Sequence, residues 1–278
     1  CLVGSEMCIR DRFEGVLQDC CHQFFGIPYA KYEQRWDKSI LIEKELNLKV
    51  TEKGNSAPQT RSDDQSQSGT SFFQDNSLSK QSENCLTLNI CSNDIKAKNP
   101  VMIWIHGGAL VTGGSSSIMY DLKQLAKRGV VVVSINYRLG PLGFLRLDEV
   151  TEGQIHSSGN EGLLDQRNAI RWVKENISSF GGNPNNVTIF GESAGSWSCN
   201  LQIAAGHDSL FQKAICQSGG LDAIATKEKA NQWARLFIEQ FEKDGHKVSD
   251  LKSCDWRFII NSATVSYTHL TLPTKQAV

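Results

Sequence analysis

The chain has 278 residues, with 29 basic and 30 acidic side chains and a formal net charge of −1. This balance argues against binding to nucleic acid or to an acidic membrane surface, because both depend on an excess of positive charge. Hydrophobic residues make up 40% of the chain, which is typical of a soluble globular domain with one large core. No apolar run is long enough to predict a transmembrane helix.

The two ends of the chain differ from the rest. Residues 1–12 and 265–278 resemble translated sequencing-adapter tails that recur on unrelated proteins, and the first residue is Cys1 rather than methionine. Both segments are therefore interpreted as artefacts, which leaves residues 13–264 as a partial domain. This interpretation removes His269 from the candidate catalytic residues. The lack of a signal peptide carries no information, because such a peptide would precede the surviving sequence.

Apolar and polar patterns divide the rest of the chain. Residues 54–84 are polar and predict a loop between amino-terminal strands and a main sheet. From residue 86 onward, strand-length apolar runs alternate with helical spacing, which predicts a mostly parallel or mixed sheet covered on both faces. The predicted strands are 86–91, 101–105, 130–136, 187–190 and 213–217, and the predicted helices are 119–128, 162–179, 194–205 and 227–242.

Two of these elements carry specific burial predictions. Residues 130–133 are all valine, which predicts a strand buried on both faces. The helix predicted over 227–242 has one apolar stripe at helical spacing. This stripe is predicted to face the core rather than to line a binding groove.

The first candidate motif follows the strand predicted over 101–105, where the chain reads His106-Gly107-Gly108-Ala109. Backbone amides can stabilise an oxyanion only where bulky side chains do not crowd them, and glycines at the end of a strand meet that requirement. Taken alone, a flexible glycine turn explains the motif equally well. A second motif downstream decides in favour of an oxyanion-binding loop.

The second motif is a Gly-x-Ser-x-Gly turn between a predicted strand and a predicted helix: Gly191-Glu192-Ser193-Ala194-Gly195. A serine hydroxyl is a poor nucleophile unless it is held exposed beside a base and an oxyanion site, and a strand-to-helix turn holds it in this way. The flanking glycines permit the sharp bend, and the Ala194 amide points toward the place where negative charge develops. For Glu192, tuning of the site and a scaffold role both remain open.

Further stretches in unbroken order strengthen this interpretation. They read FGIPYA over 25–30, SENCLTLN over 82–89, NYRLG over 136–140, GNEGLLDQ over 159–166 and FGGNP over 180–184. Together with the two glycine motifs, they make the chain resemble the type-B carboxylesterases of the cholinesterase-like α/β-hydrolase family over residues 24–220. The resemblance implies an α/β-hydrolase fold, here its truncated amino-terminal half with a central, mostly parallel sheet.

The resemblance also implies roles for individual residues. Ser193 becomes the nucleophile, and the amides of Gly108, Ala109 and Ala194 become the oxyanion hole. An alanine at 109, where many relatives have glycine, still presents its amide. The supporting residues are His106, Gly107, Gly191, Glu192 and Gly195, and the residues implied in structural ion pairs are Arg35, Glu83, Arg138 and Asp165. Neither a metal ion nor an organic cofactor is implied.

The chain departs from the family pattern in two places. In secreted relatives, the cysteine corresponding to Cys85 forms a disulfide with an earlier cysteine, but none occurs here between Cys21 and Cys85. The missing partner favours a reducing compartment. In cholinesterases, the equivalent of loop 54–84 supplies a tryptophan that stacks on a quaternary ammonium, and no tryptophan occurs between Trp36 and Trp104. Choline esters are therefore not the expected preferred substrates.

A serine hydrolase of this fold also needs an acid and then a histidine, each after a later strand. Beyond Ser193, His207 is predicted to be structural, His246 lies in a charged turn, and no strand after Asp222 delivers a histidine. We therefore expect the chain to be the amino-terminal half of an esterase whose triad glutamate and histidine lie beyond it. Such a half is expected to be inactive and to leave part of its carboxyl-side core surface uncovered.

Three hypotheses follow for function. The first is that the parent protein hydrolyses small-molecule carboxylic esters through an acyl-Ser193 intermediate. The second is a non-catalytic cholinesterase-like binding or adhesion domain, although such domains usually lose the serine or its flanking glycines, which are intact here. The third is that the recorded chain is an assembly artefact. The acyl and alcohol preference and the oligomeric state stay open.

Overall fold

The computed structural model describes residues 6–9, 13–42, 48–60, 78, 80–206, 209–221 and 224–271. The strands are β1 Glu6–Ile9, β2 Phe13–Gln18, β3 Cys21–Pro28, β4 Ala30–Lys31, β5 Ile40–Leu41, β6 Leu48–Lys49, β7 Thr87–Ser92, β8 Asn99–Ile105, β9 Val131–Ile135, β10 Gly182–Glu192 and β11 Lys213–Gln217. The α-helices are α1 Leu122–Ala126, α2 Gly140–Phe144, α3 Glu161–Asn176, α4 Ala194–Ala204, α5 Lys227–Lys243 and α6 Trp256–Thr271, and 3₁₀ turns span Ile177–Phe180 and Val248–Lys252. None of the described helices is both long and apolar enough to cross a membrane.

One large sheet organises most of the described strands. Its order is β1-β2-β3-β7-β9-β8-β10-β11, and β6 pairs with β2. The strands β9, β8, β10 and β11 run parallel to one another, and antiparallel pairs from β7 back to β1 extend the sheet on the other side. The central parallel sheet predicted from the sequence is therefore confirmed, with an antiparallel extension that the sequence patterns did not delimit.

The elements from β7 to α5 lie close to their predicted positions. β11 begins and ends at the predicted residues, and β10 extends back to Gly182 through an irregular pairing with β8. The helix predicted over 119–128 is shorter, because the Asp121 side chain accepts a hydrogen bond from the Lys123 amide and begins α1 there. The helix predicted over 162–179 continues as a 3₁₀ turn that ends at Gly181, whose φ is 79°.

Both burial predictions are confirmed, except that Val130 precedes β9 and is half-buried. Val131, Val132 and Val133 of β9 are each 0% exposed, as expected for a strand with both faces covered. Ala234, Phe237 and Phe241 of α5 are buried in a cluster with Trp36, Leu142, Leu145, Leu147, Ile155, Leu251, Ile259 and Ala263. The apolar stripe of α5 therefore packs on the core.

The residues implied in ion pairs do form two such pairs. The Arg35 guanidinium donates to both carboxylate oxygens of Glu83, at 2.7 and 2.6 Å. The Arg138 guanidinium donates to both oxygens of Asp165, at 2.8 and 2.9 Å, and both side chains are almost completely buried. These contacts tie separate segments of the fold together, which agrees with a scaffold role.

The segment predicted as a loop over 54–84 is more buried than its polarity suggests. Residues 56–59 are buried, and Ser56 forms an isolated bridge with Gln81. Residues 61–77 and 79 lie outside the described part of the chain. Cys85, for which the chain has no family-type partner, is a free and buried thiol.

The sheet leaves an exposed apolar surface beside β11, which pairs only with β10 among the described strands. Ile203 of α4 and Ile215 of β11 are each 44% exposed, and Leu221 and Ile224 are 53% and 61% exposed. Exposed apolar side chains beside a sheet edge are typical of a surface that takes part in further contacts. The expectation that missing residues leave a core surface uncovered stays a prediction.

Candidate active site

The Gly-x-Ser-x-Gly motif forms a tight turn from β10 into α4. Ser193 lies between them with φ 55° and ψ −122°, a conformation that L-residues rarely adopt. Its amide donates to the Gln217 carbonyl at 2.9 Å, and its carbonyl accepts from the Trp197 amide at 3.1 Å. These bonds attach Ser193 to β11 on one side and to the first turn of α4 on the other, and the residue remains partly exposed.

The two glycines of this turn allow α4 to approach the sheet. A β-carbon at Gly191 would lie 2.5 Å from the carbonyl carbon of Gly195. A β-carbon at Gly195 would lie 2.1 Å from the Ile105 carbonyl oxygen. Neither distance is compatible with a side chain, so glycine is required at both positions. The sequence-based reason for these glycines is therefore correct, and the obstacle is the backbone of neighbouring elements.

The second glycine motif lies directly beside Ser193. In the register of β8 and β10, Ile105 pairs with Gly191, so the loop that begins at His106 leaves the sheet beside the serine turn. A β-carbon at Gly107 would lie 2.7 Å from the Glu192 carbonyl oxygen and 3.4 Å from the Ser193 β-carbon. The fold thus brings together the two motifs that the sequence analysis selected.

The backbone of this loop turns sharply through left-handed conformations. Gly108, Ala109 and Leu110 have φ values of 105°, 53° and 62°. The Gly108 carbonyl accepts from the amides of Val111 and Thr112, at 3.0 and 2.9 Å. Within the described residues, by contrast, no carbonyl accepts from the amides of Gly108, Ala109 or Ala194. Backbone amides that donate to no carbonyl are available as the hydrogen-bond donors that an oxyanion requires.

His106 is part of the scaffold under this loop. It is 1% exposed, its ring stacks on Tyr137 with centroids 4.4 Å apart, and the Tyr137 hydroxyl donates to the His106 carbonyl at 2.8 Å. Its Nδ1 lies 2.8 Å from the Gly107 carbonyl oxygen and must donate to it. Burial lowers the pKa of His106 to about 4, so the ring is neutral at pH 7 and orients the loop.

Gln59 supports the same loop, and the sequence analysis missed it. Its side-chain amide donates to the Gly113 carbonyl and accepts from the Gly113 amide, both at 2.9 Å. A β-carbon at Gly113 would lie 2.6 Å from Nδ1 of His106, so this residue is held against the histidine. The bond joins residues that are 54 positions apart, and no local pattern in the sequence predicts such a partner.

Glu192 lies at the rim of the turn and is exposed. Its Oε2 lies 3.4 Å from the position of a β-carbon on Gly107, which places the carboxylate beside the oxyanion loop. Its proposed influence on the site stays a prediction.

Apart from His106, the histidines with described side chains lie in other parts of the fold. His246 stacks on Phe241 and makes a tilted contact with Phe258, with ring centroids 4.7 and 4.6 Å away, and His156 pairs with Asp148 at 3.0 Å. His22 lies on β3 and pairs with Leu17 of β2. None of these side chains is hydrogen-bonded to Ser193. His207, Asp222 and the His269 side chain lie outside the described part of the chain.

The parallel sheet, the strained serine between β10 and α4 and the adjoining glycine loop define an α/β-hydrolase. Comparison with known proteins agrees, since a model of the carboxylesterase family matches residues 12–257. The chain belongs to the carboxylesterase family.

Individual relatives fit this assignment. The chain is 43% identical over 235 residues to para-nitrobenzyl esterase of Bacillus subtilis strain 168, an alignment that covers 82% of this chain and 46% of that protein. It is 38% identical to acetylcholinesterase 4 of Caenorhabditis briggsae, with 86% of this chain and 38% of that protein covered.

Solved structures give the same result. A thermophilic PNB esterase superposes with a TM-score of 0.79 at 35% identity, covering 93% of this chain and 53% of that one. A carboxylesterase of Geobacillus stearothermophilus has the same TM-score at 33% identity, covering 91% and 52%. The chain thus spans about half the length of the relatives that it matches.

Proposed function

We propose that Ser193 is the nucleophile of a carboxylesterase that hydrolyses small-molecule carboxylic esters through an acyl-enzyme. The observation that carries the proposal is the left-handed conformation of Ser193 beside Gly107, in a turn that presents the serine next to uncommitted amides. A non-glycine residue in such a conformation costs free energy, and that cost is typical of functional positions. The geometry matches the nucleophile turn of this fold class.

The proposed reaction has two halves. The Ser193 hydroxyl oxygen attacks the ester carbonyl carbon while a base removes its proton, and the amides of Gly108, Ala109 and Ala194 donate to the resulting oxyanion. The tetrahedral intermediate then collapses, the alcohol leaves with a proton, and an acyl-Ser193 ester remains. A water molecule repeats the attack, which releases the carboxylic acid and restores the serine.

We propose that the base is a histidine outside these 278 residues and that the acid which orients it also lies outside them. The contacts of three histidines support this proposal. His106 is hydrogen-bonded to the Gly107 carbonyl, His156 contacts Asp148, and His246 stacks on Phe241. Without the base, the oxyanion amides and substrate binding alone supply roughly 10³–10⁴-fold acceleration over water. The 278-residue chain is therefore proposed to react slowly at Ser193.

Uncharged esters are the proposed substrate class. No tryptophan occurs between Trp36 and Trp104, so this segment has no indole ring that could stack on a quaternary ammonium. The similar proteins include a para-nitrobenzyl esterase and an acetylcholinesterase. A neutral ester and a choline ester are therefore the two substrates to compare on the extended protein. We propose that neutral aryl or alkyl esters are hydrolysed in preference to choline esters.

The test begins by extending the reading frame from primers inside residues 160–200 and expressing the extended protein. A fluorophosphonate should add to Ser193, and the adduct should appear on tryptic peptide 175–213 by mass spectrometry. Ser193→Ala should abolish the adduct and lower kcat for a p-nitrophenyl ester by roughly 10⁴–10⁶-fold.

A folded extended protein without an adduct on Ser193 would contradict the proposal. That outcome would favour the alternative of a non-catalytic binding domain. Labelling of Ser193 together with faster hydrolysis of choline esters would contradict only the substrate class.

A further inference from the structure

The two cysteines nearest to the serine turn occupy the elements that hold it. Cys199 belongs to α4, which begins directly after Ser193, and Cys216 belongs to β11. The residue after Cys216 is Gln217, whose carbonyl accepts the Ser193 amide hydrogen bond at 2.9 Å. Both cysteines are free thiols.

The sheet register fixes the direction of the Cys216 side chain. Cys216 pairs with Gly191 in the parallel ladder of β10 and β11. Paired residues on neighbouring strands point to the same face of a sheet. A β-carbon at Gly191 would meet the Gly195 backbone of α4 at 2.5 Å, so this is the face that α4 covers. The Cys216 side chain therefore points toward α4.

The helical repeat places Cys199 over the same area. Gly195 contacts the sheet, and residues four positions apart lie on the same side of a helix. Cys199 accordingly faces the sheet one turn after Gly195, and it is 0% exposed. The Cys216 thiol is close enough to Cys199 to contribute to the raised pKa of that buried thiol. Two independent features, the register and the helical repeat, thus place both side chains at the same interface between α4 and the sheet.

The two thiols differ in their access to solvent. Cys216 is exposed, whereas Cys199 is enclosed between α4 and the sheet. Burial, followed by the neighbouring Cys216, raises the pKa of Cys199 to about 12. The exposed thiol therefore meets a reagent first. The enclosed thiol reacts, if at all, with the mixed disulfide that Cys216 then holds beside it.

We propose that Cys199 and Cys216 form a reversible disulfide by exchange with low-molecular-weight disulfides, linking α4 to β11 beside Ser193. The Cys216 thiolate attacks one sulfur of the reagent, whose S–S bond breaks and releases one thiol. The Cys199 sulfur then attacks the Cys216 sulfur and releases the second thiol. The two protein thiols lose two electrons and two protons, and the reagent disulfide is reduced to two thiols. This modification is independent of any reaction at Ser193.

The chain contains an internal control for thiol contact without access. Cys21 on β3 and Cys91 on β7 are also neighbours, since Cys21 contributes to the raised pKa of Cys91, and these residues are 0% and 1% exposed. If contact alone were sufficient, both pairs would react equally. If access through Cys216 is required, only the pair beside Ser193 reacts in the folded chain.

The test treats the folded 278-residue chain with oxidised glutathione and analyses unreduced tryptic peptides. Cleavage at Lys213 separates the two cysteines into peptides 175–213 and 214–227, each with a single cysteine. We expect these peptides to be linked, the link to disappear after treatment with dithiothreitol, and the Cys21–Cys91 pair to remain reduced. Cys199→Ser should stop the reaction at a glutathione adduct on Cys216, and Cys216→Ser should abolish both products.

Three results would overturn the proposal, and none depends on a variant that folds poorly. The first is a persistent glutathione adduct on Cys216 of the unmutated chain without a linked peptide. The second is a Cys216 that takes up no glutathione. The third is a linked peptide that forms only after denaturation in urea, with Cys21 and Cys91 oxidised at the same rate.

Discussion

Gly195 and Ile105 are in backbone contact where α4 crosses the end of β8. A β-carbon on Gly195 would lie 2.1 Å from the Ile105 carbonyl oxygen, and the gap contains no flexible side chain that could move aside. The contact sets the height of α4 above the sheet and hence the position of Ser193, two residues earlier. The backbone at this point therefore links the two glycine motifs.

Gly195→Ala is expected to destabilise the chain by about 1–3 kcal/mol, because the added methyl group forces α4 away from the sheet. Fluorophosphonate labelling of Ser193 should slow as the turn moves. Urea unfolding followed by circular dichroism measures the stability. Gly206→Ala is the matched control, since no atom lies within 4 Å of its β-carbon position and only its φ of 79° opposes alanine, at about 1–2 kcal/mol. Equal effects on labelling in both variants would contradict the steric argument.

A second prediction concerns the backbone of Ser193 itself. Its φ of 55° and ψ of −122° store about 1–3 kcal/mol in a non-glycine residue. Glycine adopts this region freely but loses about 0.5–1 kcal/mol through its more flexible unfolded state. Ser193→Gly should therefore be about 1 kcal/mol more stable to urea than Ser193→Ala, which removes the hydroxyl and keeps the strain. A glycine variant no more stable than the alanine variant would show that the turn is unstrained.

The extent to which the sequence predicted this fold depends on the element. β9 and α5 were predicted because their burial leaves a direct pattern, a run of valines in one case and an apolar stripe in the other. β2, with the sequence FEGVLQ, alternates between buried and half-buried positions, and its apolar pattern is too weak to delimit it. α6 crosses residue 265, so its carboxyl end lies inside a segment that the sequence analysis had set aside as an artefact.

The candidate site likewise contains some residues that the sequence predicts and others that it does not. Ser193 and the glycines around it were predictable because sharp turns and close backbone contacts restrict residue type locally. Gln59 was not, because its contact with Gly113 depends on how a distant segment folds across the loop. An amide side chain has many potential partners in a sequence, and only the tertiary structure selects one.

A third prediction follows from the buried ion pair of Arg138 and Asp165. Arg138→Met should destabilise the chain by about 3–5 kcal/mol, because it leaves the Asp165 carboxylate buried without its cation. Urea unfolding provides the measurement. The exposed pair of Arg257 and Asp255, at 2.7 Å, is the control, and Arg257→Met should cost about 0–1 kcal/mol. Adding Asp165→Leu to Arg138→Met should restore most of the lost stability, and a further loss instead would contradict the desolvation argument.

The last prediction concerns the pH dependence of stability, and it rests on His106. Burial lowers its pKa from the ordinary 6.5 to about 4 in the folded chain, so the unfolded chain binds a proton more readily between these values. Stability from this group is fully present above pH 6.5 and is lost as the pH falls toward 4. The expected loss between pH 7 and pH 5 is about 2 kcal/mol. His106→Asn, which can still donate to the Gly107 carbonyl, should remove that part of the pH dependence.

The comparison is made by urea unfolding at pH 7 and pH 5. His156→Gln is the control for the loss of a histidine, because its side chain is 84% exposed. Carboxylates titrate over part of the same range, so the informative quantity is the difference between the drops of the two variants. An equal drop in His106→Asn and His156→Gln would show that another group controls stability in this range and that His106 is not held neutral by its burial.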